Sequence, residues 1–418
     1  MALFVKKFGG TSVGSIERMR HIVEIVGAAR KAGDEVVVVV SAMSGETDRL
    51  IHLLKQASDM PDTREYDVLV STGEQVSMVL VASLLTAQGY PARSYTGAQA
   101  GIKTDQAHQK AHIIDVDPSA LKKALAEGII PVIAGFQGKS ETGEITTLGR
   151  GGSDTTGVAI AAALGADECQ IYTDVDGVYT ADPRVVPAAR LLPTITLEEM
   201  MEMAALGAKV LQNRSIRYAG RYKVPLRVLS SFSNHPGTLI TYEEFNTMEK
   251  ALISGLAFNR QEAKITLFGL PFRADLASRV MQPLAEANID IDIILQNMTE
   301  DGKCNFTFTV NREEYRQALT IAEKLVGALG ATSAQGDNKI AKLSIVGVGM
   351  RSHIGVANKM FTTLSNEGIA IQLISTSEIK ISVLIEEKYL ELGARALHTA
   401  FELDQKEATE EFDPVVVK

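Results

Sequence analysis

The chain has 418 residues, of which 45% are hydrophobic and 22% charged, and this length predicts two or three domains with sizeable cores. A formal net charge of -9 weighs against a nucleic-acid partner, whose phosphates require a basic face. The two cysteines, Cys169 and Cys304, sit in apolar or strand-like runs and supply neither a disulfide framework nor a zinc site, which fits a reducing, cytoplasmic setting.

In chain order, the N-terminus carries no signal-like apolar core, and no uninterrupted apolar run of membrane-spanning length follows, so no membrane attachment is expected. Apolar runs at 36–40, 129–136 and 166–173 read as buried strands; the first is five consecutive valines, which suits a strand covered on both faces. Helix-period stretches at 17–32, 48–57, 74–88, 118–127 and 154–164 alternate with them. This alternation predicts an α/β domain over residues 1–232 with a mainly parallel sheet, and a ligand site at the carboxyl ends of the strands. A turn cluster at 233–237 and the polar stretch after it read as a linker over 233–250. Beyond it the pattern changes. Strand, helix, strand, strand and helix signals at 265–269, 277–287, 289–296, 305–310 and 313–326 recur in the same order at 343–347, 356–367, 369–375, 380–385 and 389–401. This is an internal repeat of about eighty residues with βαββαβ order, predicting two ferredoxin-like units at 251–337 and 338–418.

Two glycine-rich segments carry the chemistry. Lys7-Phe8-Gly9-Gly10-Thr11-Ser12 directly follows an apolar run, and Thr147-Leu148-Gly149-Arg150-Gly151-Gly152-Ser153-Asp154 opens an apolar helical stretch. Glycines let backbone N–H groups approach a ligand, a helix N-terminus adds positive potential, and Arg150 can grip a carboxylate or phosphate with two prongs. Two such loops suggest a site for two anionic reactants. A third segment, from Tyr172 to Arg184, follows a strand with hydroxyls, carboxylates, an aromatic ring and a guanidinium, a mixture suited to a nucleotide. Other patterns fail. Gly135 to Ser140 lacks the first glycine of a P-loop, the Asp174–Gly177 stretch lacks the end positions of a calcium loop, and His108 and His112 read as a solvated helix or loop pair.

At these residues the chain resembles the aspartate kinases of the amino acid kinase superfamily. The matching segments are the Lys7 and Arg150 loops, Ser41-Ala42-Met43-Ser44, Ser71-Thr72-Gly73-Glu74 and the run from Thr173 to Arg184, with the C-terminal repeat resembling paired ACT regulatory domains. The resemblance implies an amino acid kinase fold, a three-layer α/β/α arrangement followed by two ACT domains. It implies transfer of the γ-phosphoryl of MgATP to the side-chain carboxylate of L-aspartate, the first step of lysine, threonine and methionine biosynthesis. By it, Lys7 and Asp154 are catalytic, and Thr47, Glu74, Arg150 and Ser153 hold aspartate. Lys7, Gly9, Gly10, Ser41, Thr173, Asp174, Tyr179, Arg184, Lys209 and Val210 hold ATP, and Mg²⁺ is coordinated by phosphate oxygens and water, with no dedicated metal site in the protein. Lysine, threonine or both act as effectors, at positions including Asp290, Gln296, Asn297, Ser352, Gly355, Ile371, Ser375, Thr376 and Ser382. A homo-oligomer, dimer or tetramer, through the ACT domains is implied; in some relatives an internal start yields a separate regulatory subunit, and Met248 stands where one would begin, without further support from the protein sequence. Two alternatives stand beside this reading: another superfamily kinase, acting on glutamate, acetylglutamate, uridylate or carbamate, and an amino-acid-binding regulator with an inactive kinase half.

Overall fold

The computed structural model describes residues 1–207, 210–242, 252–348, 350 and 354–405. The first of its two compact units contains Met1–Tyr179, Leu191–Ala205 and the stretch 210–242. Its centre is an eight-stranded sheet in the order Thr194–Thr196, Thr238–Thr241, Leu226–Ser230, Glu168–Thr173, Leu3–Phe8, Glu35–Val40, Ile130–Ala134, Ala92–Tyr95. All neighbours are parallel except Leu226–Ser230 with Thr238–Thr241. The five valines are fully buried because alternate side chains serve opposite faces. Val36, Val38 and Val40 pack with Phe8 against Met19, Ile22 and Val26 of the helix Ile16–Lys31, and against Met78, Val81 and Leu85 of the helix Thr72–Ala87. The other face is covered by the apolar helix Gly152–Leu164, giving the expected three layers. A smaller sheet of four short strands, Ile113–Val116, Ile102–Thr104, Gln137–Ser140 and Ile145–Thr147, lies beside them in the same unit.

Several expectations need correction. The linker assigned to 233–250 contains the strand Thr238–Thr241, whose Thr-Leu-Ile-Thr run completes a hairpin with Leu226–Ser230. The rest of that range from 243 lies outside the described residues. The helical stretch Thr63–Ala87 is 25 residues long and apolar enough to match a membrane-crossing helix, which Asp67, Glu74 and Gln75 disguise in the sequence. Half of its apolar window is buried inside the unit, as for a core helix. The boundary at 232 also fails to capture Thr180–Arg190, which belongs to the second unit. There Ala181 and Val186 join the core formed by Leu343, Met360, Leu364, Leu390 and Leu397.

That second unit is built on one antiparallel six-stranded sheet, ordered Ile291–Met298, Lys303–Asn311, Leu252–Pro271, Ser333–Val348, Lys380–Glu386, Leu373–Thr376. The two longest strands serve both repeats. Within Leu252–Pro271, residues 252–259 pair with 342–348, register shifts follow, and 264–268 pair with 333–337. The first repeat is therefore continuous, from 262 to about 339. The second runs from 340 through the helices Ile354–Asn366 and Leu390–Ala400, and takes its final strand from 252–259, upstream of the first repeat. The expected cut between 337 and 338 falls inside a strand, and the expected ACT ranges are corrected accordingly. Sequence order misled here because a strand can be donated from any point in the chain once a sheet edge is free to receive it.

Candidate functional site

Lys7 is the fifth residue of the strand Leu3–Phe8 and shares its sheet face with Val5. The strand ends at Phe8, and the chain turns through Gly9 and Gly10. Gly9 N–H donates to the Tyr172 carbonyl at 3.0 Å, and the Gly10 carbonyl accepts from Ser44 N–H at 3.2 Å. These bonds hold the lysine turn against the ends of both neighbouring strands. The second glycine loop leaves the strand Ile145–Thr147 and enters the helix Gly152–Leu164. Gly151, the residue before that helix, has φ +73°, and a Cβ there would lie 2.1 Å from Gln212 Cγ, so neither the conformation nor the space admits a side chain. No side chain caps the helix; the Gly152 N–H turns back to the Gly149 carbonyl at 2.9 Å, and the Ser153 and Asp154 N–H groups are left for an anion.

The two turns converge. A cleft of about 330 Å³ is lined by Lys7, Gly10, Ser41, Thr47, Glu74, Arg150, Ser153 and Asp154 among others. It lies beyond the carboxyl ends of the strands Leu3–Phe8, Glu35–Val40 and Ile130–Ala134, where an open α/β sheet is expected to bind ligands. Lys7 Nζ forms an ion pair with Asp154, both largely buried. Glu74, in the first turn of its helix, accepts the Ala42 N–H at 3.1 Å through one carboxylate oxygen, while the other is buried without a partner among the described residues. Burial pushes the Glu74 carboxyl up to about 7, only partly offset by the backbone bonds it accepts. A buried carboxylate oxygen lacking a donor, at the wall of a cleft, is a receptor for a cation. Arg150 is exposed in the cleft, and its guanidinium is engaged by no other side chain among the described residues.

The remaining expected positions are distributed differently. Thr173 ends the strand Glu168–Thr173, and its hydroxyl donates to Asp174 at 3.2 Å. Tyr179 donates to Asp176 at 3.3 Å, with its phenol raised by burial and then by that carboxylate. Both residues, Asp174 and Val210 belong to the first unit but do not line the cleft itself. Arg184 belongs to the second unit, where it forms an ion pair with Asp182 at 2.6 Å, a partner the sequence reading did not anticipate. Lys209 and Ser352 lie outside the described residues. In the second unit, Gln296 and Asn297 sit exposed on the strand Ile291–Met298, with Asp290 just before it. Ser375 and Thr376 lie on Leu373–Thr376, just after Ile371, at the opposite edge of the six-stranded sheet. Gly355 is exposed in the first turn of Ile354–Asn366. Ser382 is buried and bonded to the Ser344 hydroxyl at 2.7 Å.

Sequence reasoning missed Asp48 and Phe136 as lining residues. It also took His108 as solvated, whereas His108 Nδ1 lies 2.7 Å from the fully buried carboxylate of Asp67; His112 is exposed and pairs with Asp105. The available signal was Asp67 itself, an acid directly before the apolar run Val68-Leu69-Val70 in the helix Thr63–Val70. Among the described residues no group of three His, Cys, Asp or Glu is placed to hold a metal ion.

Comparison with known proteins agrees with this geometry. The sequence pattern of the amino acid kinase family matches residues 2–230, and that of the ACT domain matches 343–401. An aspartate kinase from Pseudomonas putida is 60% identical over 404 residues, covering 97% of this chain and 98% of that protein. A crystal structure of Escherichia coli aspartokinase III in complex with aspartate and ADP, described as its R-state, superposes with a TM-score of 0.76 at 27% identity, over 95% of this chain and 99% of that one. The same enzyme in complex with lysine and aspartate, described as its T-state, gives a TM-score of 0.77 at 26% identity, over 96% of this chain and 99% of that one. Fold, cleft and relatives together place the chain in the amino acid kinase family, among the aspartate kinases that carry C-terminal ACT domains.

Proposed function

We propose that the cleft binds L-aspartate and MgATP side by side and transfers the γ-phosphoryl group to the aspartate side-chain carboxylate, giving 4-phospho-L-aspartate and ADP. The observation that carries this reading is the unpartnered Glu74 oxygen in the same cleft as the unengaged Arg150. Together they offer an acceptor for an α-ammonium and a fork for an α-carboxylate, the two charges that every α-amino acid presents. Thr47 and Ser153 add hydrogen bonds from the same walls.

The side-chain carboxylate is already ionised near neutral pH, with an ordinary pKa of about 3.9, so attack on the γ-phosphorus requires no general base. One carboxylate oxygen forms the new P–O bond as the bond to the β-phosphate oxygen breaks, and ADP departs with that electron pair. What the protein must supply is alignment and compensation of charge on the transferring group. Lys7 is positioned for the second task, and Asp154 holds its ammonium in place. The Ser153 and Asp154 N–H groups at the uncapped start of the helix Gly152–Leu164 and the Gly10 N–H are offered to the phosphates, and by the family resemblance Ser41, Thr173, Asp174, Tyr179 and the Lys209–Val210 step hold the nucleotide. Mg²⁺ would neutralise phosphate charge when bound, held mostly by phosphate oxygens and water, with Asp154 a cleft carboxylate that could orient that water.

The ACT unit makes this an enzyme under end-product control, by lysine, threonine or both. The lysine complex of the E. coli relative supports that choice. Gln296 and Ser375 occupy opposite edges of one sheet, so a single pocket using both sets requires a second copy of the chain, in keeping with a homo-oligomer. The deciding experiment measures ADP release with aspartate, with glutamate and with no acceptor. Release that depends on aspartate alone supports the proposal; equal rates with glutamate or without acceptor overturn it. Titrating the active enzyme with lysine and threonine, separately and together, tests the control.

A further inference from the structure

We infer that Asp67 and Arg214 are positioning residues that jointly set the turn carrying Arg150, and thereby the affinity for aspartate. The inference rests on Arg150 being the holder of the substrate α-carboxylate. Neither residue lines the cleft. They stand on separate helices, Thr63–Val70 and Asn213–Tyr222, yet both tie together the same two segments.

Asp67 is fully buried and accepts from His108 Nδ1 at 2.7 Å, from Gln109 N–H at 3.0 and 3.1 Å, from Thr147 N–H at 3.1 Å and from the Thr147 hydroxyl at 2.5 Å. Its carboxylate thus joins the 108–109 turn to Thr147. Arg214 donates from Nη1 to the Leu148 carbonyl at 2.5 Å and from Nη2 to the Ala111 carbonyl at 2.6 Å, joining the same turn to the next residue of the loop. A backbone bond from Ala111 N–H to the Thr147 carbonyl, 2.9 Å, closes the assembly. The two segments also interlock sterically. Gln109 is a non-glycine residue at φ +68°, and its carbonyl oxygen lies only 2.9 Å from where a Cβ on Gly149 would be. The loop must therefore follow the 108–111 turn, and that turn is fixed by Asp67 and Arg214. Leu148 is held on both sides, because its N–H also donates to the Phe136 carbonyl at 2.9 Å, and Arg150 projects two residues later. A buried carboxylate with several donors and a half-buried guanidinium on two carbonyls are costly to assemble for packing alone, whereas they give a surface arginine a defined origin.

The test uses the full-length enzyme. Thr147→Val is close to isosteric and removes only the hydroxyl bond to Asp67, Thr147→Ser retains that bond, and Arg214→Lys keeps the charge but loses the fork. Arg150→Ala is the reference for the site. The expected result is a KM for aspartate raised about tenfold in Thr147→Val and Arg214→Lys, with the KM for ATP within about twofold and Thr147→Ser close to wild type. Adding Thr147→Val to Arg150→Ala should then raise the aspartate KM no further. A purely structural role predicts instead a lower unfolding temperature and a reduced active fraction, with both KM values unchanged. That outcome, with Arg150→Ala still raising the aspartate KM, overturns the positioning role alone. An aspartate KM unchanged in Arg150→Ala overturns the site reading and the inference together.

Discussion

Lys7 illustrates how a buried cation is made usable. It is nearly inaccessible, and its ion pair with Asp154 compensates the charge that burial would otherwise penalise. Replacing it with alanine removes the only side-chain ammonium among the described residues of the cleft lining. We expect Lys7→Ala to lower kcat by about 10³-fold, with far-UV circular dichroism unchanged; a kcat within twofold of wild type would exclude a transition-state role. Glu74 makes a second residue-scale prediction. Its carboxyl titrates near 7 in the ligand-free protein and must be ionised to receive an ammonium. The KM for aspartate should therefore rise as pH falls below about 7, and Glu74→Gln should give a higher KM with this dependence flattened. Stability moves the other way. A carboxyl raised above its unfolded value contributes stability that is fully present below about pH 4.5 and is lost as pH rises through about 7. Glu74→Gln should accordingly melt higher than wild type at pH 8, and the two should converge in acid.

Among the elements, the helix Gly152–Leu164 shows what a capless N-terminus requires. Gly151→Ala places a methyl group at a left-handed position already filled by the Gln212 side chain, at a cost of about 1–2 kcal/mol or more. The variant should show a lower melting temperature together with a reduced kcat/KM for ATP, because the displaced N–H groups face the cleft; an unchanged kcat/KM would separate the helix start from nucleotide binding. Most of this element was legible in the sequence, since glycines, Arg150 and an apolar helical run stand in order. The valine strand was legible too, because only a doubly covered strand tolerates five apolar residues in succession. The four-stranded side sheet was not. Ile102–Thr104 and Ile145–Thr147 are three residues each, too short to develop alternation. Asp67 escaped for a related reason: its four donors come from positions up to eighty residues away, and no local spacing encodes them.

At the scale of the molecule, the sequence repeat predicted two modules correctly in kind but not in their boundaries, because hydrogen-bond pairing between 252–259 and 342–348 is a long-range property. A fragment beginning at Met248, itself outside the described residues, retains that strand, and one beginning at 261 does not. The longer fragment should unfold in one cooperative thermal transition, whereas the shorter should lack one or aggregate, as measured by circular dichroism and light scattering; equal stability of the two would contradict the shared sheet. The same arrangement bears on biosynthesis. Residues 252–259 leave the ribosome about ninety residues before the partner they need, a delay of roughly 4–18 s at about 5–20 residues per second. Throughout that interval a newly made apolar ribbon waits without its mate beside neighbouring nascent chains, which makes this stretch the point where chaperone capture during translation should matter most.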